Sequence, residues 1–271
     1  MKHILLVIAS LIAVSATAAQ RQRPEAAFKH GEKLVYVVSY KVMGVNTDVA
    51  EVSMTTRETD FGGNPAYHVF AHGQVYPFFR WFFDLNDKYN SYMDIETLRP
   101  IQARADINEG NYRFYSLMKF DWDARKVRST YRNLKREEDS RKEMPLGEKS
   151  FDGITLFYNL RCEDIQSFVP DEPRTLSLVL EDTIRTIRYK FLGRETKNFK
   201  KLGKFRTLKF SCQLATSSGE SFEDGSEFFL WISDDQNKIP LYIESPIRIG
   251  SIRARLSHYE NLKYPLTSKI K

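Results

Sequence analysis

Most of this chain is written in short runs whose apolar residues recur with a period of two. Leu34, Tyr36, Val38, Tyr40 and Val42 make one unbroken apolar face, while Val35, Val37, Ser39 and Lys41 make the other. Such alternation puts successive side chains on opposite faces of an extended strand. Gly44 interrupts the run and Val49 to Thr56 resumes it, so the spacing predicts a hairpin. Gly62-Gly63-Asn64-Pro65 is a turn before a strand from Ala66 to Gly73. Pro100 to Ile107 and Tyr112 to Trp122 flank Asn108-Glu109-Gly110-Asn111 as a second hairpin, and Lys126 to Tyr131 completes the set. Fourteen Tyr and nineteen Phe suit these strands, because such side chains pack on a pleated, half-buried surface.

The period then changes. After a mixed-charge stretch from Asn133 to Lys149, which reads as an exposed connection, Ile154, Phe157, Tyr158, Cys162 and Ile165 recur at three- and four-residue steps. That spacing predicts one short amphipathic helix, capped by Ser150 or Asp152 and ended before Pro170. Strand patterns return over Arg174 to Leu180, Thr183 to Gly193, Phe205 to Leu214, Glu227 to Ser233, Pro240 to Glu244 and Ile247 to Tyr259. The fold class expected is mainly β: a large antiparallel curved sheet or half-open barrel, with one short helix between its two halves.

The N-terminus gives an address. Met1-Lys2-His3 is basic, Ile4 to Val14 is apolar apart from Ser10, and Ala16-Thr17-Ala18 is the small-x-small pattern a signal peptidase accepts. Residues 1–19 are read as a cleaved signal peptide, too short to span a bilayer comfortably, and 20–271 as a single β-rich domain in the periplasm. Nucleic acid is excluded as a partner by that location. No transmembrane span is expected.

The net charge of +6 is partly local: Arg185 to Lys209 holds ten Lys or Arg against one acid, Glu195. A patch for anionic partners such as lipid headgroups or acidic glycans is one reading, and the favoured one is a pair of strands with solvated basic faces and with Tyr189, Phe191, Phe199 and Phe205 turned into the core. Cys162 and Cys212 sit in what this address makes an oxidising compartment, and spacing alone leaves a bridge between them open.

Enzyme constellations are scarce, and no catalytic residue, metal ligand or cofactor is assigned. Ser116 and Lys119 match an S-x-x-K spacing, but in a strand they point to opposite faces. His68 and His72 share a face at roughly 13 Å, too far to share a metal. Glu181-Asp182 and Asp234-Asp235 are adjacent acids of the kind that form turns. The most distinctive segment is Val75 to Asp84, with Tyr76, Phe78, Phe79, Trp81, Phe82 and Phe83. A strand buried on both faces is the favoured reading, since continuous apolar runs read that way. The alternative is a ligand-binding wall, with Phe79, Trp81 and Phe83 as its ligand-binding residues, or a partner surface.

Several short motifs together resemble the exported bacterial proteins of domain-of-unknown-function family 3108. They are Phe28 with Gly31-Glu32 and Leu34-Val35-Tyr36; Asp94 with Thr97-Leu98-Arg99-Pro100; Asp152-Gly153 with Phe157-Tyr158-Asn159-Leu160-Arg161; Gly193-Arg194-Glu195; Trp231 to Asp235, Asn237 and Ile239-Pro240; and Ile249-Gly250-Ser251. The resemblance implies a mostly antiparallel β protein of the cell envelope and brings no catalytic residues with it. The function expected is non-catalytic, binding an apolar or amphipathic ligand (a lipid or glycan) or an envelope protein. The alternative is a hydrolase acting on envelope polymers.

Overall fold

The alternating runs become strands of one sheet. A computed structural model describes residues 25–133, 138–215, 222–247 and 250–270, so the signal-peptide segment lies outside the described residues. Eight strands come first: β1 (Lys33–Val42), β2 (Val45–Phe61), β3 (Asn64–Val75), β4 (Asn86–Asp94), β5 (Pro100–Glu109), β6 (Tyr112–Asp121), β7 (Lys126–Asn133) and β8 (Ser140–Pro145). A two-residue strand, β9 (Ser150–Phe151), leads into the helix α1 (Gly153–Leu160). The second half is β10 (Pro173–Val179), β11 (Ile184–Phe199), β12 (Gly203–Ala215), β13 (Phe222–Ser233), β14 (Pro240–Pro246), β15 (Ser251–Glu260) and β16 (Lys269–Ile270).

The spatial order is β8-β7-β6-β5-β4-β3-β2-β1-β15-β14-β13-β12-β11-β10-β9, with β16 on β12. Each half is a meander, and β1 joins them by pairing with β2 on one side and β15 on the other. The sheet curves without closing into a barrel, because its two edges, β8 and β9, share no ladder. Apolar side chains cover that seam instead: Val127, Met144 and Leu146 from one edge pack with Val179 from β10. Inside the curve, Tyr158 of α1 shares a core with Leu34, Val69, Met93, Phe205, Trp231 and Leu241.

Several expectations need correction. The aromatic segment is not a doubly buried strand: β3 stops at Val75, and Pro77–Phe79 starts a 3₁₀ turn that leaves Phe78, Trp81, Phe82 and Phe83 exposed. Proline at the first position presets that turn and cannot donate to a ladder. The mixed-charge connection contains a strand, β8, whose Arg141, Lys142 and Glu143 face solvent while Met144 is buried. Charges on an outermost strand discourage further pairing. Strand β4 was invisible to the hydrophobic pattern because two of its buried positions are Asp87 and Ser91. In the turn after β13 the left-handed residue is Lys238 (φ 46°). Asn237 is fully buried, exchanging hydrogen bonds with the backbone of Tyr264.

Candidate functional site: an apolar cavity beneath the helix

Helix α1 has eight residues, too few to persist alone, so its position depends on what holds its ends. Asp152 caps it, its Oδ1 accepting from the N–H groups of Ile154 (2.9 Å) and Thr155 (3.2 Å). The same carboxylate accepts from Ser91 Oγ of β4 (2.7 Å) and Thr155 Oγ1 (2.6 Å). Burial pushes the Asp152 pKa up, against the pull of those hydrogen bonds. At the other end Arg161 forms a two-pronged ion pair with Glu32 (2.6 and 2.9 Å) and donates to the carbonyls of Asn237 (3.1 Å) and Ala27 (3.3 Å). Burial opposes the Arg161 charge, but the Glu32 carboxylate outweighs it and the guanidinium pKa is raised. Between the ends, Thr56 Oγ1 donates to Tyr158 Oη (2.9 Å) and Asn159 Nδ2 donates to the Leu98 carbonyl (2.9 Å). The helix is thus fastened to β2, β4, the segment just before β1 and the loops at Leu98 and Asn237.

So fixed, α1 covers a cavity of about 180 Å³ against the second half of the sheet. Leu156, Phe157 and Leu160 of the helix face Ile187, Phe210, Leu230 and Ile243 across it. Arg161, Tyr189 and Cys212 also belong to this wall. The Tyr189 hydroxyl is buried near Arg174, and burial pushes its pKa up to about 12. Burial likewise pushes the Cys212 thiol up to about 12, so it is a neutral thiol and not a nucleophile at neutral pH. The lining contains no Asp or Glu. A second, more polar cavity of about 400 Å³ lies on the other side of the helix start, bounded by Tyr89, Ser91, Ser116, Asp152 and Glu181.

Phe79 is half-buried and Trp81 and Phe83 are exposed, all in the β3–β4 loop, and none lines the cavity. The cavity residues come from six different elements, so no single motif marked them. Ser116 is buried and Lys119 exposed, on opposite faces of β6. His68 and His72 bind Asn90 and Asn86. Among the described residues no group of three His, Cys, Asp or Glu could hold a metal ion. Cys162 and Cys212 are both free. Tyr189, Phe191, Phe199 and Phe205 of the basic hairpin are all buried, with Lys197 lying over Trp231 at 3.8 Å.

Residues 35–257 match the family described as Protein of unknown function (DUF3108). The chain belongs to this family. The motifs that carry the family resemblance hold the helix in place: Glu32, Asp152, Tyr158, Asn159, Arg161 and Asn237 all contact α1 or lie within it. The others fix turns nearby. Trp231 Nε1 donates to Glu195, Arg194 pairs with Asp234 (3.2 Å), and Asp235 accepts from Ser268.

Among solved structures, a beta-barrel-like protein of domain-of-unknown-function DUF1849 from Brucella abortus is similar, with a TM-score of 0.58 at 6% identity. The match covers 89% of this chain and all of that one, and supports the curved-barrel architecture. A protein of YmcC-like fold from Bacteroides fragilis NCTC 9343 scores 0.37 at 8% identity, over 88% of this chain and all of that one, too low to add to the fold. No curated protein matches the sequence. No described helix is long and apolar enough to cross a membrane.

Proposed function

We propose that this protein acts without catalysis, in the periplasm, by holding an apolar or amphipathic ligand in the cavity beneath α1. The observation that supports this is the cavity itself, whose walls are mostly apolar side chains. Ligand sites are predominantly hydrophobic in the same way. A dry cavity of about 150 Å³ with Leu, Ile and Phe walls takes a benzene-sized guest, so 180 Å³ suits a short acyl segment or a small ring. The periplasmic address rests on the N-terminal pattern of charge, apolar run and small residues, and residues 20–271 are read as one domain. The hydrolase alternative needs two acids facing one cleft, which these walls do not supply.

Mass spectrometry of organic extracts from purified protein tests this reading. Wild type should carry an apolar compound or take up an added fatty acid, and Leu230→Trp, which fills the cavity, should do neither while staying folded. Retention by the filled variant, or no uptake by wild type, would overturn it.

A further inference from the structure

Consecutive hairpin turns of an antiparallel meander fall at alternate ends of its strands, so the ends can be compared as surfaces. At one end lie the β1–β2 tip, the β3–β4 loop, the β5–β6 tip and the β14–β15 turn. Register places them side by side. Lys41 pairs with Ser251, the Tyr76 N–H donates to the Val49 carbonyl (2.9 Å), and the Gly110 N–H donates to the Asp84 carbonyl (2.7 Å).

This end is where the chain exposes its large apolar side chains. Of eleven such residues among those described, nine lie here. Met43 and Val45 form the β1–β2 tip, Tyr112 the β5–β6 tip, and Ile247 and Ile252 flank the β14–β15 turn. The β3–β4 loop supplies four: Phe78, Trp81 and Phe82, at 72%, 71% and 68% exposed, and Phe83. That loop is wound tightly, with the Phe82 and Phe83 N–H groups both donating to the Phe79 carbonyl. The opposite end reverses the pattern, exposing Glu96, Thr97, Asp123 and Arg125 in its connections while Leu98 and Ile239 are buried.

We propose that the apolar end is a membrane-docking rim, whose tips enter the interface of a bilayer carrying anionic headgroups. Exposed apolar patches of this kind mark contact surfaces. Lys41, Arg80 and Arg113 stand within or next to the tips without an ion pair to a described residue, Arg113 donating to the Gly110 and Tyr112 carbonyls, and these cations are placed to meet headgroup phosphates. The acids there are Asp84, Glu109 and, in the β10–β11 turn at the same end, Glu181 and Asp182; burial together with nearby Asp87 raises the Glu109 pKa and weakens its share of the opposing charge. Aromatic rings at headgroup depth beside extended cations are the usual composition of a membrane-interface belt. Separate protruding tips also suit a fluid layer better than one rigid complementary surface.

Co-sedimentation with vesicles tests the rim, using phosphatidylcholine alone and phosphatidylcholine mixed with phosphatidylglycerol. Wild type should partition onto both, more strongly onto the anionic vesicles, with Trp81 emission shifting to the blue. The triple variant Phe78→Ser, Trp81→Ser, Phe82→Ser should lose at least about tenfold in partitioning with its melting temperature unchanged, since these side chains contribute little packing. Both proteins carry the same N-terminus, so any contribution of the run Ile4 to Val14 cancels. Equal partitioning of variant and wild type would overturn the proposal. So would a wild-type dimer in solution that the same substitutions dissolve, which would assign the rim to a second copy of the chain. Indifference to the anionic lipid would overturn the part given to Lys41, Arg80 and Arg113.

Discussion

Arg161 and Glu32, 129 residues apart in sequence, meet as a two-pronged ion pair with 1% and 0% of their side chains exposed. The guanidinium lies beside the paired rings of Phe28 and Tyr158, at 5.6 and 5.3 Å from their centroids. This contact ties the end of the only described α-helix to the residue just before β1, the strand that joins the two halves of the sheet. Breaking one partner strands the other charge in the core. Arg161→Met should therefore cost about 3–5 kcal/mol in urea unfolding, and Glu32→Leu a comparable amount. The double variant should recover part of the loss, because a matched apolar pair leaves no buried charge. It should not recover all of it, since the Asn237 and Ala27 carbonyls lose their donor.

At the other end of the helix, Asp152 makes stability depend on pH. Its folded pKa is raised, chiefly by burial, above the unfolded value of about 3.9. Such a group stabilises most below the unfolded pKa and loses that contribution as pH rises through the folded pKa. Asp152→Asn removes the titration. The stability deficit of the variant should consequently be larger at pH 4 than at pH 7 when both proteins are unfolded in urea. A deficit that shrinks on acidification would mean that the hydrogen bonds from Ser91, Thr155 and Ile154 outweigh burial.

What the sequence made legible follows the period of its apolar residues. Where strand residues alternate cleanly, as from Leu34 to Val42, the strand and its turn could be read directly. The Asp152 cap was also open to reading, because a carboxylate before an apolar helical face has a local mechanism. Strand β4 failed because its inward positions are polar, and Ser91 is buried only by virtue of a partner 61 residues away. The aromatic segment failed for the opposite reason: continuous apolar residues signal burial only when something packs on them, and nothing described does so. The walls of the cavity are assembled from Leu156, Ile187, Phe210 and Leu230, ordinary core residues in any local window.

Gly250 has φ +91°, and a Cβ built there would stand 1.9 Å from the Lys41 carbonyl oxygen. Backbone, not a movable side chain, blocks the space. Gly250→Ala should cost at least about 2 kcal/mol, combining the left-handed penalty of roughly 1–2 kcal/mol with displacement of the β1 end. Thermal unfolding at several scan rates checks this, and a variant as stable as wild type would contradict the close approach of β15 to β1.

Two tryptophans should separate surface from core. Trp81 is exposed, so Trp81→Ala should change stability by no more than about 0.5 kcal/mol. Trp231 is 4% exposed and packs against Phe229 and Tyr242, so Trp231→Ala should cost about 3–5 kcal/mol. A costly Trp81→Ala would mean that the β3–β4 loop packs against the body.

The two thiols should differ in reactivity although neither is bridged. Cys162 is partly buried and its Sγ donates to the Tyr158 carbonyl (3.3 Å), while Cys212 lies deep in the wall of the cavity. Burial raises both pKa values, that of Cys212 to about 12, so thiolate is scarce at neutral pH. A maleimide should label both cysteines in denaturant without reductant. Folded protein should react slowly at Cys162 and more slowly still at Cys212, whose exposure requires the helix to lift. A ligand seated beneath α1 should slow Cys212 further and leave Cys162 little changed. Peptide mapping of timed samples distinguishes the two, and equal rates with and without an added fatty acid would count against a guest in that cavity.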